Sequence, residues 1–310
     1  MLRLRGRTLE LAVPAVAGIV NLNADSFSDP GPRTDATVEA RLAAVVAEGA
    51  DLVELGAQSA ITDRPPVDAA VEAELVARAL ATARRRHPEV VLAVDTYKLE
   101  VVEAALAGGC HLVNDISGLA DLGVAEACGR AGAGLVVTHT PVGPLAALQD
   151  ESAYGDVAGE VAAWLARALA RAEGAGADRR SLVVDPGVDL AKTPSQTLAL
   201  LRDLHRIAAL GRPILLAVSR KDFVGALTRR SPAGRGPGTL GAVAALRGVG
   251  RQILRVHDVA ATRDLLAVYD ALRGPPPPGP LAVPHELRHE PQPRVSSGPA
   301  PPVGPGGGDR

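Results

Sequence analysis

VVLAVDTYKLEVVEAALAGGCHLVNDISG, residues 90–118, carries the pattern that decides the fold. Its first run, Val90–Val94, is apolar throughout, without the alternation of a strand that has one face in water. Strands covered on both faces read this way, and such strands belong to parallel sheets. The run ends in the polar pair Asp95-Thr96. An alanine-rich amphipathic stretch follows, Lys98–Ala107, and then a second apolar run, Leu112–Asn114, which again ends in polar residues. Strand, helix, strand is the unit of a parallel sheet.

The same beat extends in both directions. Further strands are expected at Val16–Leu22, Leu52–Leu55, Gly134–Thr138, Leu182–Asp185, Ile214–Val218 and Ile253–Val256. Helices are expected at Ala36–Glu48, Val71–Arg86 with Asp68 as N-cap, Gly123–Ala131, Val157–Gly174, Ser195–Leu210, Lys221–Arg229, Thr239–Val249 and Ala261–Leu272. Eight strands, each followed by helix, predict an α/β fold of the (β/α)8 TIM-barrel type. A doubly wound open sheet would need a glycine-rich phosphate turn after an early strand, and GIVNLNADSF is not one.

Composition sets the limits. From Gly274 the 310-residue chain turns to proline and glycine without apolar periodicity, so residues 274–310 are expected to form a disordered tail and residues 1–273 the barrel. The net charge of -2 and the lack of a large basic cluster argue against nucleic acid. The short clusters Arg84-Arg85-Arg86 and Arg229-Arg230 sit near expected helix ends, where cations are ordinary. Nothing approaches the roughly 18 consecutive apolar residues needed to span a bilayer. The N-terminal MLRLRGRTLELAVPAVAG runs into Val-Asn-Leu-Asn and reads as the approach to a first strand rather than a signal peptide, so a cytoplasmic protein is expected. Cys110 and Cys128 are given no chemical role. Lysine survives at only Lys98, Lys192 and Lys221 among 33 basic residues. Where arginine is the default cation, a retained lysine is worth following, because ammonium and guanidinium groups are not interchangeable.

Active sites of such barrels lie at the C-terminal ends of the strands. Here every end is polar: Asn21, Glu54, Asp95, Asn114, Thr138-His139, Asp185, Ser219-Arg220-Lys221 and Arg255-Val256-His257. Any one could be a helix cap, as Asp95 could be for Lys98–Ala107, and His257 could be a packed loop histidine. Together they converge on one pocket suited to a small, polar, charged ligand.

Six blocks, GIVNLNADSFSDPG, AVDTYK, LVNDISG, VVDPGVDLAKT, VSRKDFVGAL and RVHDV, resemble in order and spacing the signature blocks of the dihydropteroate synthase family, from Gly18 to about Leu272. The resemblance implies condensation of 6-hydroxymethyl-7,8-dihydropterin diphosphate with p-aminobenzoate, releasing diphosphate. It implies that Asp185, Asn114 and Asp95 hold the pterin ring and that Lys221 donates to the ring's acceptors. Ser219 joins these as a substrate-binding position. Arg255 and His257 are implied to bind the diphosphate, and Asn21 a Mg²⁺ that bridges it. Asp95, Lys221 and Arg255 are the expected catalytic residues. Closing loops are expected at Asp25–Arg33 and Gly56–Pro66, and a homodimer through barrel helices, with Leu265, Leu266, Val268 and Leu272 as one candidate face.

The pattern departs from the family in four places. Gly56-Ala57-Gln58-Ser59-Ala60-Ile61-Thr62-Asp63-Arg64-Pro65 stands where the family has Gly-Gly-Glu-Ser-Thr-Arg-Pro-Gly, a stretch implied to shape the p-aminobenzoate pocket. In the first loop Asn23-Ala24 replaces Thr-Pro and Pro30 a glycine. Asp189-Leu190-Ala191 replaces Gly-Phe-Gly, and Thr138-His139-Thr140-Pro141 departs from the usual Met-His pair. These departures resemble a divergent actinobacterial branch. They keep an alternative open, a non-catalytic or altered-substrate pterin-binding paralogue. A pterin-dependent methyltransferase on the same barrel is a third reading, against which Arg255 and His257 argue.

Overall fold

The computed structural model of the chain describes residues 1–23, 34–58, 66–143, 149–275 and 279–288. It divides into two compact units, Met1–Tyr269 and Asp270–Arg310. The described part of the second unit comprises the last turn of a helix and a short 3-10 turn, His285–Leu287. The expected tail lies for the most part outside the described residues, as do Asp25–Arg33 and residues 59–65 of the second loop.

The first unit opens with a hairpin, β1 (Leu2–Leu4) and β2 (Arg7–Leu9), turned at Gly6. Eight parallel strands follow: β3 (Ala15–Asn21), β4 (Leu52–Gly56), β5 (Val91–Asp95), β6 (Leu112–Asp115), β7 (Gly134–Thr138), β8 (Leu182–Asp185), β9 (Ile214–Leu216) and β10 (Gln252–Val256). They close into a barrel in chain order, with β10 pairing β3. Around it run α1 (Asp35–Ala47), α2 (Ala69–Arg86), α3 (Leu99–Ala107), α4 (Gly123–Ala131), α5 (Val157–Gly174), α6 (Pro194–Arg202), α7 (His205–Ala208), α8 (Asp222–Thr228), α9 (Gly236–Leu246) and α10 (Val259–Arg273). This is the (β/α)8 barrel expected from the alternation of apolar runs and helical stretches.

Strand parity separates two buried layers. Val53, Leu55, Leu92, Val94, Val113, Leu135, Val137 and Val184 face outward and pack with helix residues such as Leu42, Val76, Leu80 and Leu165. The alternate residues Ala17, Leu52, Val91, Ala93, Leu112, Val136, Val183, Leu215 and Ile253 form a second cluster inside the barrel. Because side chains alternate with a period of two, the next inward positions are fixed. They are Glu54, Asp95, Asn114, Thr138, Asp185 and Arg255. One face of each strand is thus apolar low in the barrel and polar at its C-terminal end.

The hairpin was not foreseen in the N-terminal segment. Leu2 and Leu4 are buried and join the inner cluster. Arg5 bonds through its backbone N–H to the Gly132 carbonyl at 2.7 Å and through its guanidinium to the Leu106 carbonyl. Two strands that would be marginal alone are therefore held by the floor of the barrel, which they cover. The expected helix Ser195–Leu210 is two helices, α6 and α7. Between them the N–H of Leu204 bonds to Leu201 and that of Ile207 to Leu204, a three-residue repeat that keeps Leu201, Leu204 and Ile207 buried. Asp68 caps α2 as expected, accepting from the N–H groups of Ala70 and Val71 at 3.0 and 3.3 Å.

Removing the plug should cost stability in proportion to the cavity left. Leu4→Ala is expected to lower the unfolding free energy by about 2–5 kcal/mol, measured by urea denaturation. A loss comparable to a surface substitution would show that the hairpin does not seal the floor.

Candidate functional site

The rim is organised by Glu54, which is 1% exposed. Its Oε1 accepts from Arg255 Nε at 2.5 Å and its Oε2 from Asn114 Nδ2 at 3.1 Å. Arg255 reaches in a second direction, donating from Nη2 to Asp95 Oδ2 at 2.8 Å. Four strands, β4, β5, β6 and β10, are thereby tied through side chains at one level. Strand register supports the arrangement: Gly56 pairs Asp95, and Asp95 pairs Asn114.

Two carboxylates facing one guanidinium leave a net negative bias. Burial raises the Asp95 pKa to about 7, repulsion by Glu54 adds to the rise, and Arg255 offsets part of it. Asp95 is not a helix cap, for α3 has Lys98 at its N-cap and no side-chain cap bond.

On the opposite side Asp185 ends β8, buried, and accepts the Gly187 N–H at 2.7 Å. Burial raises its pKa, while the Gly187 N–H and the Lys221 charge pull it back. Lys221, just before α8, has its pKa lowered by burial, with Asp189 opposing. His257 lies on Ser219: Nδ1 stands 2.8 Å from the Ser219 hydroxyl, and the His257 N–H donates to that oxygen at 3.3 Å. The Ser219 hydroxyl thus holds the His257 ring and backbone together. Burial, with Arg255 adding to it, lowers the His257 pKa to about 3, so the ring is neutral at physiological pH. The structure thus brings Asp95, Asn114, Asp185, Ser219, Lys221, Arg255 and His257 to one end of the barrel. Asn21 ends β3 on the same rim, paired in register with Gly56.

The turn after β8 shows what the Gly-Phe-Gly departure involves. Asp189 and Ala191 have φ of 59° and 48°, in the left-handed region that glycine occupies without strain. Compensation comes from two sides. Asp189 Oδ2 accepts from the N–H groups of Asp222 and Phe223 at 2.5 and 3.3 Å, binding this turn to the start of α8. Lys192, fully buried, donates to the Gly187 and Leu190 carbonyls at 3.0 and 3.1 Å and stands 2.9 Å from His139 Nδ1. Burial lowers the Lys192 pKa to about 7 and that of His139 to about 3, where the Lys192 charge adds to the effect. His139 also packs edge-on to Trp164, with ring centroids 5.0 Å apart. Gly187 is required here, since its φ is +69° and a Cβ would meet the His139 carbonyl oxygen at 2.1 Å.

All three lysines prove to have specific places. Lys98 Nζ bonds Gln58 Oε1 at 2.7 Å, Glu72 Oε2 at 2.6 Å and the Val67 carbonyl, fixing the base of the second loop. Four residues given no role by the sequence carry the geometry: Glu54, Thr138, Asp189 and Lys192. Glu54 and Thr138 are already among the polar strand ends, and inward parity from Leu52 gives Glu54 its place in the ring. The scarcity of lysine pointed at Lys192. Asp189 acts through a contact 33 residues away, for which the sequence holds no local signal.

An α/β barrel whose inner faces end in carboxylates, an amide and an arginine has the strand-end pocket suited to a small, polar, charged ligand. Residues 17–257 match the family described as pterin binding enzyme. The dihydropteroate synthase of Neisseria meningitidis serogroup C is 36% identical over 265 residues, covering 84% of this chain and 93% of that protein. A Mycobacterium leprae protein named inactive dihydropteroate synthase 2 is 33% identical over 278 residues, covering 88% of this chain and 95% of that protein. Among solved structures, Xanthomonas albilineans dihydropteroate synthase with 4-aminobenzoic acid superposes with a TM-score of 0.79 at 38% identity, covering 88% of this chain and 99% of that chain. The chain belongs to the dihydropteroate synthase family of pterin-binding enzymes.

Arg255→Leu removes the cation between Glu54 and Asp95. The variant is expected to lose about 3–5 kcal/mol of stability near pH 8. Without Arg255 the folded-state Asp95 pKa, already raised to about 7, rises further above its unfolded value. The stability tied to it is then present at low pH and lost as pH rises through that value. Urea denaturation should therefore show a smaller deficit at pH 5.5 than at pH 8. An equal deficit at both would show that the carboxylates are not coupled through this arginine.

Proposed function

We propose that the chain is a dihydropteroate synthase. It joins 6-hydroxymethyl-7,8-dihydropterin diphosphate to p-aminobenzoate, giving 7,8-dihydropteroate and diphosphate. The observation that carries this reading is the convergence of Asp95, Asn114, Asp185, Lys221 and Arg255 at one rim, in a chain of this family.

In this reading Asp185 accepts the paired N–H donors of the 2-amino pyrimidinone edge in a two-pronged geometry. Asn114 and Asp95 hold the rest of the ring, and Lys221 donates to its acceptors. Arg255, with Nε and one Nη2 hydrogen committed to Glu54 and Asp95, presents its remaining donors to the diphosphate. The neutral ring of His257, held against the Ser219 hydroxyl, adds a further polar contact.

The arylamine nitrogen bonds to the methylene carbon as the carbon–oxygen bond breaks. Diphosphate leaves with the electron pair, and the amine gives up a proton. The ring delocalises charge at the methylene, so the protein supplies position and electrostatic stabilisation rather than a nucleophile.

Asn21 is proposed to hold Mg²⁺. Asn21 ends β3 at the same rim and its side chain offers an amide oxygen, the kind of ligand magnesium takes. A lone amide suffices for an ion that keeps most of its waters; when bound, the ion neutralises diphosphate charge. Among the described residues no group of three His, Cys, Asp or Glu side chains forms a metal cluster, so the ion would depend on substrate oxygens for the rest of its shell.

A cytoplasmic location and a homodimer complete the proposal. No helix among the described residues is long and apolar enough to cross a membrane. On α10 Leu266 is buried, whereas Val268 is 61% exposed and available to a partner helix. Residues 274–310 are taken as an appendage to a barrel spanning 1–273.

Incubation with the pterin diphosphate, p-aminobenzoate and Mg²⁺ should release diphosphate, with all three components required. Arg255→Ala should lower kcat/KM by about a hundredfold or more. Binding of the pterin without any turnover would replace this reading with the non-catalytic paralogue. Turnover unaffected by Arg255→Ala would remove the diphosphate role.

A further inference from the structure

Two buried polar atoms at the strand ends, Asn114 Oδ1 and Thr138 Oγ1, have no hydrogen-bond partner among the described residues; Asp189 Oδ1, in the turn after β8, is a third beside the site. The first is accounted for by ring binding as proposed above. The second is not. Thr138 is the last residue of β7 and is 0% exposed. It shares strand parity with Val136, which lies in the cluster inside the barrel, so its side chain takes the next inward position. In register it pairs with Asp185 on one side, while Val136, two residues before it, pairs with Asn114 on the other. The hydroxyl therefore stands on the interior face between the two residues assigned to the ring.

A buried hydroxyl without a partner costs folding free energy, and native chains keep few of them. Valine would fill the same volume at this strand end without the penalty. The neighbouring strand positions Val136 and Val137 show that valine is otherwise the choice here. The unsatisfied group is explained if its partner arrives with the ligand.

We propose that Thr138 is a ring-binding residue of this chain, its hydroxyl forming a hydrogen bond to a heteroatom of the heterocycle seated between Asn114 and Asp185. The inference rests on the pterin reading of the site and deepens it. A hydroxyl donates as well as accepts, so it serves a ring nitrogen, a ring N–H or a ring carbonyl. The residue belongs to one of the four places where the chain departs from its family, and it gives that departure a consequence in ring affinity.

The test compares Thr138→Val and Thr138→Ser with the unaltered protein by calorimetry, using 6-hydroxymethylpterin and, separately, inorganic pyrophosphate with Mg²⁺. Thr138→Val should weaken pterin binding by about five- to tenfold, the loss of one hydrogen bond. Thr138→Ser should stay within about twofold, and pyrophosphate binding should be unchanged in both. The ligand-free melting temperature of Thr138→Val should equal or exceed that of the unaltered protein, because the deleted group has no partner among the described residues. Pterin binding by Thr138→Val equal to that of the unaltered protein overturns the inference alone. So does a parallel loss of pyrophosphate binding, which would mark a general disturbance. If the unaltered protein binds no pterin, the functional reading falls and the inference with it.

Discussion

A single buried carboxylate spans the rim. Glu54 uses one oxygen for Arg255 and the other for Asn114, with almost no exposure to water. An ionised carboxylate so placed would be untenable unpaired, and its pairing fixes two residues that the functional reading assigns to different parts of the substrate. Arg255 belongs with the diphosphate and Asn114 with the ring. The two half-sites therefore share one side chain. Asp95 adds a second contact to the same guanidinium, and burial, with repulsion by Glu54 adding to it, raises its pKa.

The rest of the barrel is arranged so that this group can exist. Below it the inward positions are Ala93, Leu112, Val136, Val183 and Ile253, a dry cluster closed from beneath by Leu2 and Leu4. Above it the same strand faces carry Asp95, Asn114, Thr138, Asp185 and Arg255. The apolar floor keeps water from reaching the ionic layer from below, and the layer opens only toward the strand ends. Beside it, the β8–α6 turn holds its shape through Lys192 and Asp189 in spite of two non-glycine residues with left-handed backbone.

The barrel was legible because each strand is a short apolar run followed by an amphipathic helix, and local periodicity encodes both. Strand ends were legible too, since polar residues terminate the runs. The hairpin at Leu2–Leu4 and Arg7–Leu9 was not: its strands are three residues long, and only the floor of the barrel holds them in place. Nor were the partners of the rim residues. Glu54 and Arg255 are 201 residues apart, and only closure of β10 on β3 brings them together. Thr138 stood out as a departure from the family, but that its hydroxyl has no partner among the described residues is visible only in the folded chain.

The account depends on Glu54 serving both halves of the site, and Glu54→Gln tests that directly. Glutamine keeps the shape but loses the charge-assisted bond to Arg255, and its amide nitrogen then faces the Asn114 amide donor, so both contacts are weakened. Calorimetric titration of this variant with 6-hydroxymethylpterin and with inorganic pyrophosphate and Mg²⁺ is predicted to show weakened binding of both ligands. Unchanged affinity for both, or loss confined to one, would contradict the claim that one carboxylate couples the ring site to the diphosphate site.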